Sequence, residues 1–267
     1  LAATSDTGTS DTDNLTSDST PTITGTTDIP FSKVEILEGG KVIATTTSDA
    51  NGAYSVDTPA LTDGAHTLTA QATGPAETSP TSSSGLDLTI DTDVPQPTLS
   101  INPVTTDDVL SAAEAGQTIA ITGTVGGDFS AGDTVTLSVH GQDFTGAVDK
   151  LGHFSIDVPG ADLKADPDTR IAGSVSTTDA AGNSGTATAT HDYGVAATIA
   201  GTDTGTVTED QGVTTAGKLE ASGDLTVTDP DAGEDHFQAG DQTGTYGTLH
   251  LTADGHWTYS ADNSQDA

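Results

Sequence analysis

The chain has 267 residues, a length that allows two or three small domains. Asp and Glu number 40 and Lys and Arg number 6, which gives a formal net charge of −34. A surface this acidic repels nucleic acids and anionic membranes, so we expect neither as a partner. The sequence contains no Cys for disulfides, and no apolar run approaches the roughly 20 residues that span a bilayer.

Hydrophobic residues make up only 32% of the chain and aromatic residues 4%, values that also occur in disordered proteins. The hydrophobic residues, however, recur in short alternating runs, which is typical of β-strands. Acidic oxygen ligands without Cys favour a hard cation, calcium above all. The alternative is that the acids only keep the surface soluble.

Strand patterns appear early in the chain. Thr and Ile alternate in "TPTITGT" (20–26), and further runs are "KVEILE" (33–38), "KVIATTT" (41–47), "HTLTAQAT" (66–73) and "LDLTI" (86–90). Gly39 and Gly40 form a hairpin turn between the second and third of these runs. Turn residues recur every 8–12 residues or so, which predicts a sandwich of two antiparallel sheets.

Two sequence elements repeat. "SDANGAYSV" (48–56) aligns without a gap with "VDKLGHFSI" (148–156), and "TADGHWTY" (252–259) is a looser copy. Each has an acid, a glycine and an aromatic residue, as in a hairpin whose aromatic side chain packs on the core. The corresponding residues are Asp49, Gly52 and Tyr54; Asp149, Gly152 and Phe154; and, in shortened form, Asp254, Gly255 and Trp257. The second element is "TPTITGT" (20–26), which returns as "TIAITGT" (118–124).

These repeats predict three units, at about 1–91, 92–195 and 196–267. The third unit is short for a sandwich of about 100 residues, so we expect it to be incomplete. No long stretch has a helical period, and "DDVLSAAEAG" (107–116) predicts one short helical turn.

A linker, "IDTDVPQP" (90–97), joins the first two units and carries Asp91 and Asp93. Alternate residues of an extended segment point in opposite directions, so these two acids share one ion only if the backbone turns, or else they serve adjacent sites. Calcium takes six to eight oxygens. The adjoining loop, 105–114, offers Asp107, Asp108 and Glu114 as partners. The alternative is a solvated polar linker.

Longer stretches resemble known families. The first unit resembles a bacterial immunoglobulin-like repeat through "SDTGTSDTDNLTSDSTPTITGT" (5–26), "LTDGAHTLTAQAT" (61–73) and "LTIDTDVP" (88–95). The second resembles a sister repeat through "DDVLSAAEAGQTIAITGTVGGDFSAGDTVTLSV" (107–139) and "TTDAAGNSGTATAT" (177–190). The third resembles the cadherin-like VCBS repeat through "GTDTGTVTEDQGV" (201–213) and "LTVTDPDAGEDHF" (225–237).

The resemblance implies an all-β, linear array of immunoglobulin-like and cadherin-like sandwiches. Such repeats form the extender, or stalk, of giant RTX adhesins of Gram-negative bacteria. These adhesins leave the cell by type I secretion and mediate attachment and biofilm formation. We therefore expect an extracellular, cell-surface protein that forms a monomeric rod, contacts neighbouring repeats of its own chain and does not itself insert into the membrane.

The resemblance also implies calcium sites. In this family, linker acids such as Asp91 and Asp93 close a site together with loops of the neighbouring domains. Within 5–14, the implied ligands at the linker end of the same or the preceding unit are Asp6, Asp11, Asp13 and Asn14. The stretch "TDAAGN" (178–183) supplies the next junction, and the residues implied there are Asp179 and Asn183, with Asp192 nearby. In the first unit the matching stretch, 72–80, has only Glu77.

The third unit carries two cadherin-like stretches, 207–210 and 229–234, and the resemblance implies Glu209, Asp229 and Asp231 as calcium ligands there. Each of these acid groups has an ordinary alternative. Acidic chain ends and turns are common without any bound ion.

We expect no enzymatic activity. The seven His follow no metal-binding spacing, and no G-x-S-x-G motif occurs. The rival function is an adhesion module that binds a glycan, a peptide or an ice surface. Such a module needs an aromatic platform or a regular Thr array, and the alternate spacing of Trp257 and Tyr259 favours one strand face in the core instead.

Overall fold

A computed structural model describes residues 1–76, 81–229 and 233–264. These ranges contain 22 β-strands, one α-helix of six residues and one 3₁₀ turn. They contain no helix with the length and apolar character that a membrane crossing requires. The predicted all-β fold is confirmed.

The first strand group runs from residue 15 to residue 90. Its members are β1 (Leu15–Thr16), β2 (Thr22–Thr26), β3 (Lys33–Glu38), β4 (Lys41–Thr47), β5 (Ala53–Asp57), β6 (Gly64–Thr73), β7 (Thr81–Ser82) and β8 (Leu86–Ile90). One sheet has the order β1-β8-β6-β3-β4, with β7 beside β6, and β2 pairs with β5 in a second sheet. All pairs are antiparallel except β1 with β8, which is parallel.

The second strand group runs from residue 97 to residue 195. Its members are β9 (Pro97–Ile101), β10 (Val109–Leu110), β11 (Thr118–Gly127), β12 (Thr134–Val139), β13 (Gln142–Ala147), β14 (His153–Pro159), β15 (Arg170–Thr178), β16 (Ser184–Asp192) and β17 (Gly194–Val195). The sheets are β14-β11-β9, β13-β12-β15-β16 and the parallel pair β10-β17. The expected short turn is the 3₁₀ turn Glu114–Gly116, whereas helix α1 (Gly160–Ala165) was not expected.

The third strand group is a single five-stranded sheet in the described residues. Its members are β18 (Thr198–Gly201), β19 (Lys218–Thr228), β20 (Gly240–Thr243), β21 (Gly247–Leu251) and β22 (His256–Asp262). Their order is β18-β19-β22-β21-β20, and every pair is antiparallel.

Strict alternation of burial builds the core of the second group. Side chains on β14 and β15 alternate between exposed and buried along the full length of each strand. The buried members include Ile156 on β14 and Ile171 on β15, which belong to one core cluster with Leu137 of β12, so the two sheets share an apolar core. The first group has a separate core that includes Val34, Ile36 and Leu68, so each group buries its own apolar face.

The repeated turn has the same geometry in all three groups. Its glycine is left-handed, with φ of +80° at Gly52, +85° at Gly152 and +90° at Gly255. The glycine carbonyl accepts a backbone N–H from an adjacent strand end, over 2.8 Å from Thr27 to Gly52, 2.7 Å from Val125 to Gly152 and 2.9 Å from Leu225 to Gly255. Glycine is required because an L side chain rarely adopts this φ.

An acid closes the turn in the first two groups. Asp49 Oδ1 accepts the N–H groups of Asn51 (2.7 Å) and Ala53 (2.9 Å). Asp149 Oδ1 accepts those of Leu151 (2.7 Å) and His153 (2.9 Å). These hydrogen bonds, the one from His153 first, lower the pKa of Asp149.

The third turn differs from the expected alignment. The N–H of Thr252 donates to the carbonyl of His256 over 2.9 Å, as that of Asp49 does to Ala53 over 2.8 Å. Thr252 therefore holds the position of Asp49, and the expected correspondence with Asp254 is wrong. The sequence alignment missed this because the acid has moved into the turn, where its carboxylate accepts the Thr252 hydroxyl.

The two repeated sequence elements pack on each other. The glycine of one element lies opposite the aromatic residue of the other, and the pairs are Gly25 with Tyr54, Gly123 with Phe154 and, in the third group, Gly223 with Trp257. A Cβ at each glycine would lie 2.4 to 2.6 Å from the aromatic side chain. The ring thus occupies the space over a glycine in the neighbouring strand, which explains why the elements occur together.

We expect Gly123→Ala to lower the free energy of unfolding of the second group by about 1–3 kcal/mol. The new methyl group would lie 2.4 Å from Phe154 Cζ and 2.2 Å from the Ser100 carbonyl oxygen, so strand and ring would have to separate. Hydrogen exchange of the β11 and β14 amides measures the effect. The control is Gly116→Ala, where no atom lies within 4 Å and the backbone is not left-handed. Equal exchange in the two variants would contradict the packing argument.

Candidate functional site

The loop before β1 in the first group touches the turn between β15 and β16 in the second. Thr7 Oγ1 donates to the Ala181 carbonyl over 2.5 Å, and the Thr9 N–H donates to the Ala180 carbonyl over 3.4 Å. Between them, a Cβ on Gly8 would lie 2.0 Å from the Ala180 oxygen. Backbone therefore meets backbone, with no room for a side chain at this position.

Asn183 provides a second link across the same junction. Its Nδ2 donates to the Asp91 carbonyl over 2.7 Å and to Asp179 Oδ2 over 2.9 Å. Asp179 Oδ1 accepts the Asn183 N–H over 2.9 Å, which fixes the turn. The linker and the turn of the second group are thus connected through polar groups that also suit a hard cation.

Asp6 is the acid of this region that the fold buries. The residue is 7% exposed, and its Oδ1 atom has no hydrogen-bond partner. Oδ2 accepts the N–H of Asn14 over 3.2 Å, where Asn14 is left-handed with φ of +58°. A buried carboxylate oxygen without a partner is costly, so it calls for a cation or a proton.

Asp6 and Asp91 both flank strand β1. The Asp91 N–H donates to the Thr16 carbonyl over 2.9 Å, and the Thr16 hydroxyl donates to the Ser5 carbonyl over 2.5 Å. We call Asp6, Asn14, Asp91, Asp179 and Asn183 the first-junction cluster. It combines two segments of the first group with the turn of the second.

Three predicted ligands lie outside this cluster. The side chains of Asp11, Asp13 and Asp93 are exposed. Asp13 Oδ1 accepts the Leu15 N–H over 3.1 Å, and the Asp93 N–H donates to Asp91 Oδ1 over 3.2 Å. The latter bond joins the two linker acids, but residues 91–96 contain no turn or bend, so the backbone turn that one shared ion requires is not seen in this linker.

Two further acids hold the linker, and sequence reasoning missed both. Asp63 Oδ1 accepts the N–H (3.2 Å) and the hydroxyl (2.9 Å) of Thr92. Asp128 Oδ2 accepts the Gln96 N–H over 3.0 Å. Asp63 belongs to the first strand group and Asp128 to the second, so each group binds the linker through one acid. Their positions after turn residues, in "LTDG" and "GGDF", carry no signal that could separate them from ordinary turn acids.

The assignment of the 179–183 turn to the next junction is wrong. Asn183 reaches Asp91, whereas Asp192 lies at the opposite end of the nine-residue strand β16. Nine residues of strand span about 30 Å, so one site cannot include both. The sequence gives the spacing along the chain but does not tell which end of the sandwich a loop occupies.

Asp107, Asp108 and Glu114 also lie at the end opposite to the expected one. The Asp108 carboxylate contacts His191 Nε2 at 2.9 and 3.0 Å, near the end of β16. These acids therefore face away from the linker that they were expected to serve. The physical reason is β9, which carries the chain from the linker to the far end before the acidic loop begins.

The acids at this far end have protein partners. Glu114 Oε2 accepts the Ser111 hydroxyl over 2.6 Å and the Ser111 N–H over 2.9 Å. Asp192 Oδ1 accepts Arg170 Nε over 2.5 Å, and this hydrogen bond is the main cause that lowers the pKa of Asp192. Hydrogen bonding by the Thr105 hydroxyl likewise lowers the pKa of Asp107. Asp107, Glu114 and Asp192 thus each accept a hydrogen bond from a protein side chain, whereas Oδ1 of Asp6 accepts none.

The far end of the second group repeats the construction of the first junction. The Gly194 N–H donates to the Asp108 carbonyl over 2.9 Å, as the Thr89 N–H does to that of Asn14 over 2.8 Å. Asp108 and Asn14 are both left-handed, with φ of +62° and +58°.

One step further along the chain, the two ends differ. The Ala196 N–H donates to the Leu110 carbonyl over 3.0 Å, where the equivalent bond at the first junction runs from Asp91 to Thr16. Ala196 therefore occupies the position that Asp91 has in the first linker.

The predicted ligands of the third group do not form a site in the described residues. Glu209 is exposed, Asp229 is half-buried, and Asp231 lies outside the described residues, as does Glu77 of the first group. Across 1–76, 81–229 and 233–264, no group of three or more His, Cys, Asp and Glu is arranged to hold a metal ion. A cation at the first-junction cluster would therefore also need amide and backbone oxygens.

Trp257 lies in the core of the third group, as expected. It is 6% exposed, and its Nε1 donates to the Thr202 carbonyl over 2.5 Å. The Tyr259 hydroxyl covers Gly247, where a Cβ would lie 2.7 Å away. Tyr259 is half-buried, and both aromatic side chains line a cavity of about 550 Å³ beside this sheet.

Comparison with known proteins places these observations in a family. Residues 1–92 match the family model of the bacterial Ig-like domain, and residues 194–267 match that of the bacterial cadherin-like domain. The chain belongs to the bacterial Ig-like and cadherin-like domain families. The resemblance predicted from the sequence is confirmed. None of the curated proteins matches the chain.

Solved structures of bacterial adhesins are similar to these Ig-like and cadherin-like domains. One is described as a Ca²⁺-stabilised adhesin that helps an Antarctic bacterium reach out and bind ice; it is 31% identical over 93% of this chain and 62% of its own, with a TM-score of 0.53. The chain thus spans under two thirds of that relative. An Ig-like domain of the M. primoryensis ice-binding adhesin is 42% identical over 39% of this chain and 98% of its own, with a TM-score of 0.35. A structure from a 1.5-MDa bacterial ice-binding adhesin is 26% identical. The match covers 92% of this chain and 80% of the adhesin chain, with a TM-score of 0.47.

We expect Gly8→Ala to open the first junction. The new Cβ would lie 2.0 Å from the Ala180 oxygen, so the Thr7 and Thr9 hydrogen bonds to the second group would break. Residual dipolar couplings of the two groups measure their relative order. Gly132→Ala is the control, because it has the same left-handed strain (φ of +100° against +93°) with no atom within 4 Å. Unchanged couplings in both variants would contradict this account of the junction.

Proposed function

We propose that this chain is a calcium-rigidified extender segment of a secreted bacterial adhesin. The observation that carries the proposal is the buried, unpaired Oδ1 of Asp6, which lies beside the contact between the first two strand groups. An extender needs stiff junctions, and a cation bound between two domains supplies stiffness without a hydrophobic interface. No catalytic role is proposed.

The proposed units are residues 1–91, 92–195 and 196–267. Each contains one of the three strand groups and one copy of the glycine–aromatic pair. The neighbouring units of the same chain are the proposed partners, and the working form is a monomeric rod.

The residues of the first-junction cluster fit calcium. Asp6 Oδ1 supplies an unpaired anionic oxygen, and across the junction the Asp91 carbonyl accepts the Asn183 side-chain amide, which also donates to the Asp179 side chain. The described residues hold no ready-made group of three acids, so the Asp91 and Asp179 carboxylates would move to complete the proposed site. Calcium accepts such a mixture of carboxylate, amide and carbonyl oxygens, usually with water. The remaining predicted ligands at this end, Asp11, Asp13 and Asp93, are exposed and would join by moving their side chains.

The proposed metal residues of the far end are Asp107, Asp108, Glu114 and Asp192, with Glu209, Asp229 and Asp231 in the third unit. Asp108, Glu114 and Asp192 already have protein partners, and the following linker has Ala196 at the position of Asp91. Calcium binding at this second junction is therefore proposed to be weaker than at the first.

Binding at the first junction would stabilise and stiffen the chain together. Extracellular calcium modules have dissociation constants of about 10⁻⁴–10⁻³ M. At a calcium concentration about tenfold to a hundredfold above the dissociation constant, one site adds roughly 1.4–2.7 kcal/mol. The net charge of −34 works in the same direction, because a divalent cation relieves repulsion between the carboxylates.

Similar solved structures support a role for the parent protein. The similar solved structures are adhesins, and one of them is described as Ca²⁺-stabilised. We propose an extracellular, cell-surface location, export by the type I route of RTX adhesins and a part in biofilm formation. In this proposal the segment holds a distal binding region away from the cell and binds no ligand itself.

Asp6→Asn tests the calcium site through two effects of opposite sign. The variant should bind calcium at least about tenfold more weakly, because an anionic ligand is lost. In a chelator it should be more stable than the wild type, because no unpaired charge is left buried. Isothermal titration and chemical unfolding with and without calcium measure the two effects.

The matched control is Asp28→Asn, which removes the same charge from an exposed residue beyond the other end of β2. It should leave both quantities unchanged. Equal calcium affinity in the wild type and Asp6→Asn would refute the site.

Small-angle scattering tests the stalk function. With millimolar calcium the maximum dimension should be longer and the flexibility lower than in a chelator, because the first junction becomes fixed. Asp6→Asn should scatter like the chelated wild type at every calcium concentration. A glycan or peptide array that retained the calcium-loaded chain, together with identical scattering profiles, would favour the binding module instead.

A further inference from the structure

His66 lies on β6, near the end of the first group from which the linker leaves. Its side chain is 10% exposed, and in the strand ladder it stands opposite Leu88 of β8. Nδ1 lies 2.5 Å from Oε1 of Glu38, at the end of β3, and Nε2 lies 2.7 Å from the carbonyl oxygen of Thr62. The ring thus connects the hairpin of β3 and β4 to the loop before β6.

Both ring nitrogens of His66 meet hydrogen-bond acceptors. An ionised carboxylate and a backbone carbonyl have no proton to donate, so the ring has to donate to both of them. A neutral imidazole has one N–H group, and only the imidazolium has two. The geometry therefore fits a ring that carries two protons. In contrast, His250 and His256 each meet an acid through Nδ1.

The groups in contact with the ring favour its charged form. Hydrogen bonding to Glu38, followed by hydrogen bonding to the Thr62 carbonyl, raises the pKa of His66, while burial acts in the opposite direction. Lys41 of β4, a positive group opposite Glu38 in the ladder, is exposed, so solvent screens its charge. The negative charge of Glu38 therefore dominates at the ring.

Two other acids of the neighbouring elements have partners of their own. Asp87 of β8 accepts the Thr67 hydroxyl over 2.7 Å, on the sheet face opposite to His66. Asp63, in the loop before β6, accepts the hydroxyl of Thr92 over 2.9 Å. The carboxylate at the end of β3 is thus the one in contact with the ring.

The loop that the ring holds also holds the linker. Thr62, whose carbonyl oxygen meets Nε2, directly precedes Asp63, whose carboxylate accepts the N–H and the hydroxyl of Thr92. A change at Nε2 therefore reaches the linker through a single peptide unit.

We propose that His66 is a pH switch that holds the linker between the first two groups while its ring carries two protons. When the ring loses one proton to solvent, the other stays on Nδ1, beside the charge of Glu38. Nε2 and the Thr62 carbonyl then present lone pairs to each other, so the loop moves away and the hydrogen bonds between Asp63 and Thr92 weaken. The switch needs no bound cation, so it does not depend on the proposed function.

The linker is held more firmly at lower pH than at higher pH. Because the pKa of His66 is raised in the folded protein, the stabilisation by its ring is complete below the ordinary value of about 6.5. This stabilisation is lost as the pH rises through the pKa of the folded state. Mildly acidic solution therefore fixes the linker, and alkaline solution releases it.

A pH titration of the whole ¹⁵N-labelled chain, in a chelator, tests the proposal. The ¹⁵N shifts of the His66 ring should show both nitrogens protonated up to a midpoint above about 6.5. The backbone amide of Thr92 should shift with the same midpoint, because its hydrogen bond to Asp63 weakens when the ring loses its proton.

Glu38→Gln separates the switch from general effects of pH. The side-chain amide of Gln can donate to Nδ1, so a neutral ring with its proton on Nε2 still holds the Thr62 carbonyl. The midpoint of the ring should fall, and the Thr92 amide should no longer shift with it. Glu35→Gln is the matched control, because it removes the same charge from β3, where Glu35 pairs with Lys33. This control should keep both responses.

Two results would overturn the proposal. One is a His66 ring that loses its second proton at or below about 6.5. The other is a Thr92 amide that does not follow the ring in the wild type, or that follows it equally in Glu38→Gln. The wild-type titration needs no substitution, so it decides the matter even if Glu38→Gln does not fold. Because calcium is absent from the titration, its outcome is independent of the first-junction site.

Discussion

The close approach of Gly8 to Ala180 is the contact on which the arrangement of the first two domains depends. Both Gly8 and Gly182 are left-handed, and a Cβ on either would lie within 3 Å of backbone atoms across the junction. Two loops can therefore come together with no side chain between them. That approach sets the loop that carries Asp6 against the turn that carries Asn183, so the polar groups of the junction are brought together by backbone packing.

In this chain, which has a net charge of −34, two buried acids differ from the other described carboxylates. Most carboxylates are solvated or accept hydrogen bonds, and they stay ionised at little cost. Asp6 and Asp166 instead each hold one oxygen out of water without a partner. Each of these oxygens therefore carries a desolvation cost in the folded state, which a proton or a cation would offset.

Sequence reasoning succeeded where the pattern is local. The runs 33–38 and 41–47 are strands with the predicted bounds, because alternation and a Gly-Gly turn fix a hairpin without help from the rest of the chain. It failed where the answer depends on packing. Which end of the sandwich holds Asp179 or Asp108 follows from the path of β9, and the isolation of Asp6 Oδ1 follows from burial. Helix α1 escaped notice because six residues are too few to show a helical period.

The parallel pairs at the domain exits have a mechanical consequence. β8 and β17 are the last strands before the chain leaves the first and the second domain, and each runs parallel to a short partner, β1 or β10. Tension along the chain slides parallel neighbours past each other, so their hydrogen bonds bear the load together instead of breaking one after another. Each exit therefore resists pulling in shear, the direction in which tension between the two ends of the chain acts.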